Sequence, residues 1–479
     1  MSQHLNYIGG EWVAGKAVIH DMNPSDLNDE VGQYAAADAA QTVAAVAAAK
    51  TAYPQWSAAT PQQRFDCLDA IGTEILARRD ELGRLLSREE GKPLADGIGE
   101  AARAGYIFKF FAGEALRVEG NVVASVRAGV DITVTREPIG VIGLITPWNF
   151  PAAIPAWKIA PALAYGNTVV FKPAELVPAT AWAIVDIAAR SGLPKGVLNL
   201  VMGKGSIVGQ AIIDSRDVAA VSFTGSQAVG ARIAQSCAAR GAKFQLEMGG
   251  KNPLVVLDDA DLPLAVAAAV NGAFYQTGQR CTASSRLIAT RKIHDKFVDG
   301  VIAAMKELKV DNALEPGTQV GPVVDDRQLA QDMEYLDIGR SEGADLAWGG
   351  ERLNRATNGH YLQPGLFVNT TNDMRINREE IFGPIASVIR VDDYDQALAT
   401  ANDTAFGLSS GIFTTSLKHA AHFRKHSDAG MVMVNVPTAG VDYHVPFGGS
   451  KGSSYGPREQ GRQAVEFFTA SRTHYVLAG

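Results

Sequence analysis

The sequence predicts an α/β protein built on doubly wound parallel sheets, and three observations lead to this prediction. Five short apolar runs between Val141 and Met248 alternate with helical patterns, as strands covered on both faces should. A second alternation of strands and helices begins at Pro253. The 479 residues are 47% hydrophobic and 20% charged, which is enough apolar material for large cores and argues against disorder.

Two amphipathic helices and a ribbon are predicted before the first sheet. Ala39 to Trp56 and Pro61 to Arg79 have the helical spacing of apolar residues. Asp38 and Thr60 precede these helices, and each can accept a hydrogen bond from a free backbone N–H as an N-cap. Residues 122–137 alternate and are rich in Val and Thr, which indicates an extended hairpin or ribbon.

The first sheet is predicted from Gly140 onward. Its strands are Val141 to Thr146, Thr168 to Phe171, Val197 to Val201, Ala219 to Phe223 and Phe244 to Met248, and the helix Ala153 to Tyr165 joins the first two. Parallel sheets of this kind bind ligands beyond the carboxyl ends of their strands. Polar residues that follow these strands are therefore the candidates for a functional site.

The second region is predicted to form another α/β layer. It contains a strand at Pro253 to Leu257, a helix at Leu264 to Thr277, and later strands at Ser387 to Val391, Ser410 to Thr414 and Gly430 to Asn435. The tail from Ala470 to Leu477 alternates again. We expect this tail to pair with the ribbon of residues 122–137.

Composition and charge exclude several classes of function. A net charge of −7 does not suggest the basic face that nucleic-acid or membrane-surface binding needs. Met1 to Tyr7 shows no signal-peptide pattern, and no apolar run approaches the ~18 residues of a membrane helix, so we expect a cytoplasmic protein. The 3 cysteines fit a reducing compartment. The nine histidines show no ligand spacing, so we predict no metal.

Cys281 is the candidate nucleophile. It follows a predicted helix and stands in a polar turn that contains Gly278. Arg280 and backbone amides beside the thiol would favour the thiolate, which is the nucleophilic form. A buried structural cysteine fits the same spacing equally well. Cys67 and Cys237 lie in apolar helical patterns, and we interpret both as structural.

Two polar residues follow strands of the first sheet. Glu247 ends the fifth strand and precedes the turn Gly249 to Lys251. It suits a general base that water can reach, although a solvated glutamate paired with the lysine of that turn is the simpler interpretation. Asn149 lies in a proline-bounded turn after the first strand. Its carboxamide is a candidate donor to an oxyanion, or it only caps the next helix.

Three short segments could hold a nucleotide. Phe223 to Gly230 places Gly and Ser at a helix N-terminus, whose free N–H groups and dipole attract phosphate. Gly203 to Ser206 is a near-miss to a glycine-rich fingerprint, and neither segment is a Walker loop. Lys172 and Glu175 follow the second strand and could hydrogen-bond a ribose. Taken singly, each segment is explained at least as well by an ordinary turn or a surface ion pair.

Taken together, these segments resemble the aldehyde dehydrogenase superfamily. Seven matching segments occur in order over most of the chain: Thr146 to Pro151, Phe171 to Glu175, Phe223 to Gly230, Leu246 to Pro253, Gly278 to Ser284, Glu379 to Pro384 and Pro446 to Gly452. The resemblance implies a Rossmann-like parallel-sheet cofactor domain (1–117 and 139–249), a second α/β catalytic domain (250–463) and a β-ribbon oligomerisation domain (118–138 and 464–479). It also implies a homodimer or homotetramer.

The resemblance implies roles for single residues. Cys281 would add to the aldehyde, Asn149 and the Cys281 N–H would hold the oxyanion, and Glu247 would activate the water that hydrolyses the thioester. NAD or NADP would bind against Trp148, Lys172, Glu175, Gly205, Thr224, Gly225, Ser226, Glu380 and Phe382. Phe150, Ile154, Trp157 and Tyr443 would line the substrate tunnel.

The finer assignment depends on two further segments. Residues 439–446 and 452–459 resemble the branch of the family that oxidises 2,5-dioxopentanoate to 2-oxoglutarate. Arg280 is a candidate partner for the substrate carboxylate, since guanidinium binds carboxylate bidentately, or it only supports its loop. Alternatives are succinic or glutaric semialdehyde, a broad range of aldehydes, and a non-catalytic binding member of the family.

The acyl acceptor and the cofactor also have alternatives. Glu247 as a hydrolytic base favours water over coenzyme A as the acceptor. Glu175 would repel the 2′-phosphate of NADP and so slightly favours NAD, whereas Lys172 could accept that phosphate. The expected partners are a small aldehyde, carrying a carboxylate in the finer assignment, and further copies of the chain, with neither nucleic acid nor a membrane.

Overall fold

The computed structural model describes residues 3–477, so residues 1–2 and 478–479 of the predicted domains lie outside the described part. The N-terminal part holds four strands, β1 (Asn6–Ile8), β2 (Glu11–Val13), β3 (Ala17–Met22) and β4 (Glu30–Ala36), and four helices, α1 (Ala39–Ser57), α2 (Pro61–Ala77), α3 (Arg79–Glu90) and α4 (Leu94–Ala115). The side chains of Asp38 and Thr60 accept hydrogen bonds from the N–H groups of Gln41 and Gln63. Both predicted N-caps are therefore confirmed.

Strands and helices alternate through the rest of the chain. Residues 121–248 contain β5 (Asn121–Ala124), β6 (Val130–Pro138), β7 (Val141–Ile145), α5 (Ala153–Ala164), β8 (Thr168–Lys172), α6 (Pro178–Arg190), β9 (Leu198–Leu200), α7 (Gln210–Asp214), β10 (Val218–Gly225), α8 (Gln227–Arg240) and β11 (Lys243–Met248). Residues 252–348 contain β12 (Asn252–Val256), α9 (Leu262–Phe274), β13 (Ser284–Thr290), α10 (Arg291–Lys306), α11 (Asp326–Ser341) and β14 (Asp345–Trp348). Residues 365–477 contain β15 (Gly365–Thr370), α12 (Arg375–Arg378), β16 (Ile385–Val391), α13 (Tyr394–Asn402), β17 (Ser409–Phe413), α14 (Leu417–His426), β18 (Met431–Val434), β19 (Ser454–Tyr455), α15 (Val465–Phe468) and β20 (Thr469–Leu477).

An eight-stranded sheet forms the first layer, with the order β19-β11-β10-β7-β8-β9-β1-β2. Its five central strands are β11, β10, β7, β8 and β9, and they pair in parallel, as the sequence predicts. The sheet as a whole is mixed, because β1 and β2 extend it antiparallel on one side and β19 does so on the other. Since β19 lies inside the predicted catalytic domain, that domain's sequence range contributes one strand to the cofactor sheet.

A seven-stranded sheet forms the second layer, with the order β14-β15-β16-β13-β12-β17-β18. All its strands pair in parallel except the edge strand β14. The helix predicted over Leu264 to Thr277 ends at Phe274. Gln276, Thr277 and Gly278 have positive φ, which a right-handed helix cannot continue through.

The predicted ribbon is a third, three-stranded sheet. β20 pairs antiparallel with β6 from Thr469 to Leu477, and β5 pairs with the other edge of β6, which confirms that the tail joins the ribbon. Val122, Val126 and Leu477 expose most of their side-chain surface on it. Apolar side chains on exposed edge strands suit contact with another protein. Within residues 3–477, no helix is long and apolar enough to cross a membrane.

Candidate active site

The carboxyl ends of the first sheet's strands open into a cleft of about 670 Å³, which loops and a helix of the second α/β region also line. Such edges are where parallel sheets bind ligands. Most of the predicted site residues line it: Trp148, Asn149, Ile154, Trp157, Lys172, Glu175, Thr224, Gly225, Ser226, Glu247, Cys281, Glu380 and Phe382. Four predicted residues do not line it: Gly205, Phe150, Arg280 and Tyr443.

Cys281 lies in the loop between α9 and β13, partly exposed to the cleft. The positive-φ residues Gln276 to Gly278 turn the chain sharply before it. Asn252 Nδ2 donates to the Cys281 carbonyl oxygen at 2.8 Å. A Cβ on Gly250 would lie 2.5 Å from the same oxygen, so the close approach of these two loops requires glycine there. The thiol is thus held at a defined place in the cleft.

The environment of the Cys281 thiol favours its protonated form. Burial, followed by the charges of Glu380 and Glu247, raises the pKa of the thiol to about 12. Backbone N–H groups of Cys281 and Thr282 act in the opposite direction. The sequence-based expectation that this turn favours the thiolate is therefore wrong for the cleft as the structure describes it, because the two carboxylates and burial outweigh the nearby donors.

Arg280 is turned away from the cleft. Its guanidinium donates to the carbonyl oxygens of Asn271 and of Gly272, the latter at 3.0 Å, in the last turns of α9. Because these carbonyls lie near the C-terminal end of α9, a cation there is well placed. Of the two interpretations of Arg280, loop support fits this geometry, and pairing with a substrate carboxylate in the cleft does not.

Glu247 ends β11 and is buried, with 3% of its surface exposed, so the interpretation as a solvated strand-end glutamate is wrong. Ser454 on β19 lies opposite it in the sheet, and Ser454 Oγ donates to Glu247 Oε2 at 2.5 Å. Burial and the charge of Glu459 raise the pKa of Glu247 well above its ordinary value. A raised pKa is typical of carboxylates that exchange protons in catalysis.

Glu459 is a second buried carboxylate for which the sequence offers no signal. Lys158 Nζ donates to Glu459 Oε1 and, at 2.7 Å, to Ser222 Oγ. Trp157 Nε1 donates to Glu459 Oε2 at 2.6 Å. Trp157 and Glu459 are 302 residues apart in the chain, so no local pattern could indicate this network. Its effect is to orient the Trp157 ring at the cleft and to place a negative charge near Glu247.

A buried network also positions Asn149. Its Nδ2 donates to the carbonyl oxygen of Gln279 at 2.9 Å, which ties it to the Cys281 loop. Its own carbonyl accepts from Lys92 Nζ at 2.7 Å, and Lys92 Nζ is ion-paired with Glu100 at 2.5 Å. Glu100 Oε1 accepts from the N–H groups of residues 152–153 at the start of α5. Asn149 therefore faces the thiol loop, and Glu100 rather than Asn149 caps α5.

The far end of the cleft has polar groups with spare hydrogen-bonding capacity. Lys172 Nζ donates to the carbonyl of Pro173 at 2.8 Å, and burial lowers its pKa to about 8. Thr224 Oγ1 is buried without a partner in the described part of the chain. Ser226 is the N-cap of α8, but its side chain makes no capping bond. Spare donors beside a helix N-terminus fit the sugar and phosphates of a nucleotide.

Gly205 and Glu175 meet at the rim of the cleft. The Gly205 N–H donates to Glu175 Oε1 at 2.7 Å. One carboxylate oxygen of Glu175 is thus held by the protein, while its side chain still lines the cleft. Gly205 belongs to the segment that only partly matches a glycine-rich nucleotide-binding motif. In the structure, its N–H orients Glu175.

The middle of the cleft is bordered by two aromatic rings and a carboxylate. Trp148 and Phe382 pack edge to face with their centroids 5.4 Å apart, and Phe382 has a φ of 64°, an uncommon backbone conformation that marks functional loops. Glu380 Oε1 accepts from the Gly250 N–H at 2.7 Å. Burial raises the pKa of Glu380 to about 7.

Phe150 and Tyr443, which were expected in the substrate tunnel, pack against other side chains and do not line the cleft. Lys92 Nζ is 4.1 Å from the Phe150 ring centroid. Tyr443 stacks on Tyr106 with a centroid separation of 5.6 Å and meets Phe110 edge on. Among residues 3–477, no group of three or more metal-ligating side chains stands close together.

The fold and the cleft together define a class of protein: a two-sheet α/β enzyme with a cysteine facing a nucleotide-sized cleft. The family model described as "Aldehyde dehydrogenase family" matches residues 12–474. The chain belongs to the aldehyde dehydrogenase family.

Three relatives show how close the match is. The chain is 44% identical over 477 residues to the alpha-ketoglutaric semialdehyde dehydrogenase of Bacillus subtilis (strain 168), covering 99% of this chain and 98% of the relative. It is 38% identical over 475 residues to the 2,5-dioxopentanoate dehydrogenase of Saccharolobus solfataricus, with 98% of each covered. The crystal structure of betaine aldehyde dehydrogenase from Staphylococcus aureus in complex with NAD+ matches with a TM-score of 0.97 at 33% identity, over 99% of this chain and 95% of that one.

Proposed function

We propose that this protein oxidises 2,5-dioxopentanoate to 2-oxoglutarate with NAD or NADP. The observation that carries the proposal is the 44% identity, over 99% of the chain, to the Bacillus subtilis alpha-ketoglutaric semialdehyde dehydrogenase. In the balanced reaction, the aldehyde, one NAD(P)+ and one water give the carboxylate, NAD(P)H and two protons. Water supplies the second carboxylate oxygen, so the cleft must serve both oxidation and hydrolysis.

In the first step, Cys281 Sγ forms a bond to the aldehyde carbon. Because the thiol pKa is raised to about 12, its proton needs an acceptor in the cleft, and the Glu247 carboxylate serves as that base. The carbonyl oxygen becomes an oxyanion, to which Asn149 Nδ2 and the Cys281 N–H donate. Donors fixed in advance stabilise developing charge without reorganisation, and the bond from Asn149 to the thiol loop supports this role.

NAD(P)+, when bound, supplies the acceptor for the hydride that leaves the former aldehyde carbon. The residues proposed to hold it are Lys172 and Glu175 at the adenosine ribose, Thr224, Gly225 and Ser226 at the pyrophosphate, Glu380 at the nicotinamide ribose, and Trp148 and Phe382 beside them. Gly205 acts by orienting Glu175. The spare donors of Lys172, Thr224 and Ser226 support this assignment.

Glu247 releases the thiol proton to solvent before hydrolysis. In the last step it removes a proton from water, whose oxygen bonds to the thioester carbon. The bond between that carbon and Cys281 Sγ then breaks, and the thiolate takes up a proton again. Ser454 holds the Glu247 carboxyl through its hydrogen bond, which limits the positions from which Glu247 can reach water. General-base help of this kind contributes about 10²–10⁴-fold to a rate.

An aldehyde panel run with the wild-type protein tests the function. Initial rates of NAD(P)H formation are compared for 2,5-dioxopentanoate, succinic semialdehyde, glutaric semialdehyde and pentanal, each with NAD and with NADP. We expect 2,5-dioxopentanoate to give the highest kcat/KM, by at least about tenfold over pentanal. A higher value for another aldehyde would contradict the substrate, and no NAD(P)H with any would indicate a non-catalytic protein. Acyl-CoA as the product would contradict hydrolysis.

Replacing Glu175 by Gln should change the cofactor preference. The Glu175 charge repels a 2′-phosphate, so we expect wild type to prefer NAD, and Glu175→Gln to raise the ratio of kcat/KM with NADP to kcat/KM with NAD by about tenfold. Glu11→Gln is the matched control, because Glu11 is a surface residue with 69% of its side chain exposed. An unchanged ratio in Glu175→Gln would show that Glu175 does not discriminate the cofactors.

We infer further that the chain assembles as a homodimer or homotetramer through its ribbon, in a reducing cytoplasm. The exposed apolar side chains of Val122, Val126 and Leu477 support the first point. Cys67, Cys237 and Cys281 are free thiols, and Cys281 must stay reduced to act as a nucleophile. The molar mass in solution, measured by light scattering, distinguishes these assemblies from a monomer.

A further inference from the structure

Arg103 and Gln460 form a polar pair that the roles above leave unexplained. Arg103 lies on α4, and its guanidinium donates to Gln460 Oε1 at 3.3 Å. Nε of Arg103 and Nε2 of Gln460 are both buried without a hydrogen-bond partner in the described part of the chain, and Gln460 itself is fully buried. Unpaired buried donors are costly and rare. Two of them side by side indicate that an acceptor belongs there.

Arg103 packs on a side chain that lines the cleft. The Arg103 guanidinium stands 5.7 Å from the centroid of the Trp157 ring, which lines the cleft. Trp157 is held in place by its bond to Glu459. Burial lowers the pKa of Arg103, whereas the charges of Glu100, Asp442 and Cys281 act in the opposite direction.

Three other cations close to the candidate catalytic residues are already neutralised or bonded elsewhere. Lys92 is paired with Glu100, and Lys158 is paired with Glu459. Arg280 is bonded to backbone carbonyls of α9. Within residues 3–477, the hydrogen-bonded partner of Arg103 is instead a neutral amide. Glu100 and Asp442 act on its charge without bonding to it, so its guanidinium can still bind an anionic ligand.

We propose that Arg103 and Gln460 bind the 2-oxo-carboxylate end of the substrate. This inference deepens the proposed function and depends on it. A guanidinium presents parallel N–H donors that match the two oxygens of a carboxylate, and Gln460 Nε2 can donate to the adjacent keto oxygen. The Trp157 ring, which lines the cleft, then packs against the methylene carbons. Arg103 takes the role that the sequence suggested for Arg280.

The test compares a charged and an uncharged substrate in four variants. Arg103→Met, Arg103→Lys and Gln460→Met are assayed with 2,5-dioxopentanoate and pentanal, and the ratio of the two kcat/KM values is the readout. We expect this ratio to fall about 100-fold in Arg103→Met, less in Arg103→Lys, which keeps the charge, and about tenfold in Gln460→Met. Arg117→Met, an exposed arginine just past the end of α4, is the matched control and should keep the ratio.

Two results would overturn the proposal. An unchanged ratio in Arg103→Met would show that Arg103 does not contact the carboxylate. An equal loss of kcat/KM with both substrates would show that Arg103 only supports the structure. Arg103→Lys preserves most of the side chain, so a loss in this variant is not explained by misfolding. A wild-type protein that prefers pentanal would instead contradict the proposed function, and this is seen before any variant is made.

Discussion

Cys281→Ala should lower the kcat for NAD(P)H formation by more than about 10⁴-fold and leave NAD(P) binding within about threefold of wild type. The proposed chemistry begins with a bond from Cys281 Sγ to the aldehyde, and removal of a covalent nucleophile costs far more than loss of a single hydrogen bond. The residues proposed to hold the cofactor do not include the thiol. Activity is measured by NAD(P)H absorbance, and binding by titration of tryptophan fluorescence.

The matched control is Cys67→Ala. Cys67 lies on α2 and does not line the cleft, so an aldehyde bound in the cleft does not meet its thiol. We expect this variant to retain wild-type turnover. Retained turnover in Cys281→Ala, or equal loss in the two variants, would contradict the role of Cys281.

Glu247→Gln should separate oxidation from hydrolysis. Glutamine keeps the shape and the bond from Ser454 but cannot remove a proton from water. We expect a burst of about one NAD(P)H per active site, followed by steady turnover about 10²–10⁴-fold slower than wild type. Stopped-flow absorbance measures both phases. The burst itself should be slower than in wild type, because the thiol proton then has to pass to solvent instead of Glu247.

The pH profile provides a second readout for Glu247. A general base works in its ionised form, and the pKa of Glu247 is raised well above the ordinary value for a glutamate. In wild type, the hydrolytic rate should therefore increase as the pH rises through the raised pKa of Glu247. At pH values below that pKa, the rate should be low because Glu247 is protonated. Glu247→Gln should lose this dependence, whereas Glu307→Gln, an exposed glutamate after α10, should keep it. Wild-type steady turnover in Glu247→Gln would rule out the role in hydrolysis.

Local patterns were sufficient to predict most of the fold. The apolar runs of β7 to β11 and the N-caps Asp38 and Thr60 are encoded within a few residues, and the observed strand ends lie within two residues of the predicted ones. Strand β19 could not be predicted in this way. It has two residues, and its pairing with β11 depends on the tertiary structure that carries it there.

The same distinction applies to the site. Asn149 and Glu247 stand at the carboxyl ends of β7 and β11, so their common cleft could be predicted from the rule on strand ends. Cys281 precedes β13, and only the family resemblance linked it to the other two. The direction of the Arg280 side chain could not, because it depends on carbonyls at the end of α9 rather than on its neighbours in sequence. The bond between Arg103 and Gln460 joins positions 357 residues apart, which no sequence pattern reveals.

The most direct measurement is the intact mass of Glu247→Gln after reaction with 2,5-dioxopentanoate and NAD(P)+. Slow hydrolysis should leave a 4-carboxy-4-oxobutanoyl group on the enzyme, and peptide mapping should locate it on Cys281. The same treatment of the double variant Cys281→Ala/Glu247→Gln should give no added mass. An acyl group on another residue, or no acyl group while NAD(P)H is formed, would contradict oxidation of this aldehyde through a Cys281 thioester.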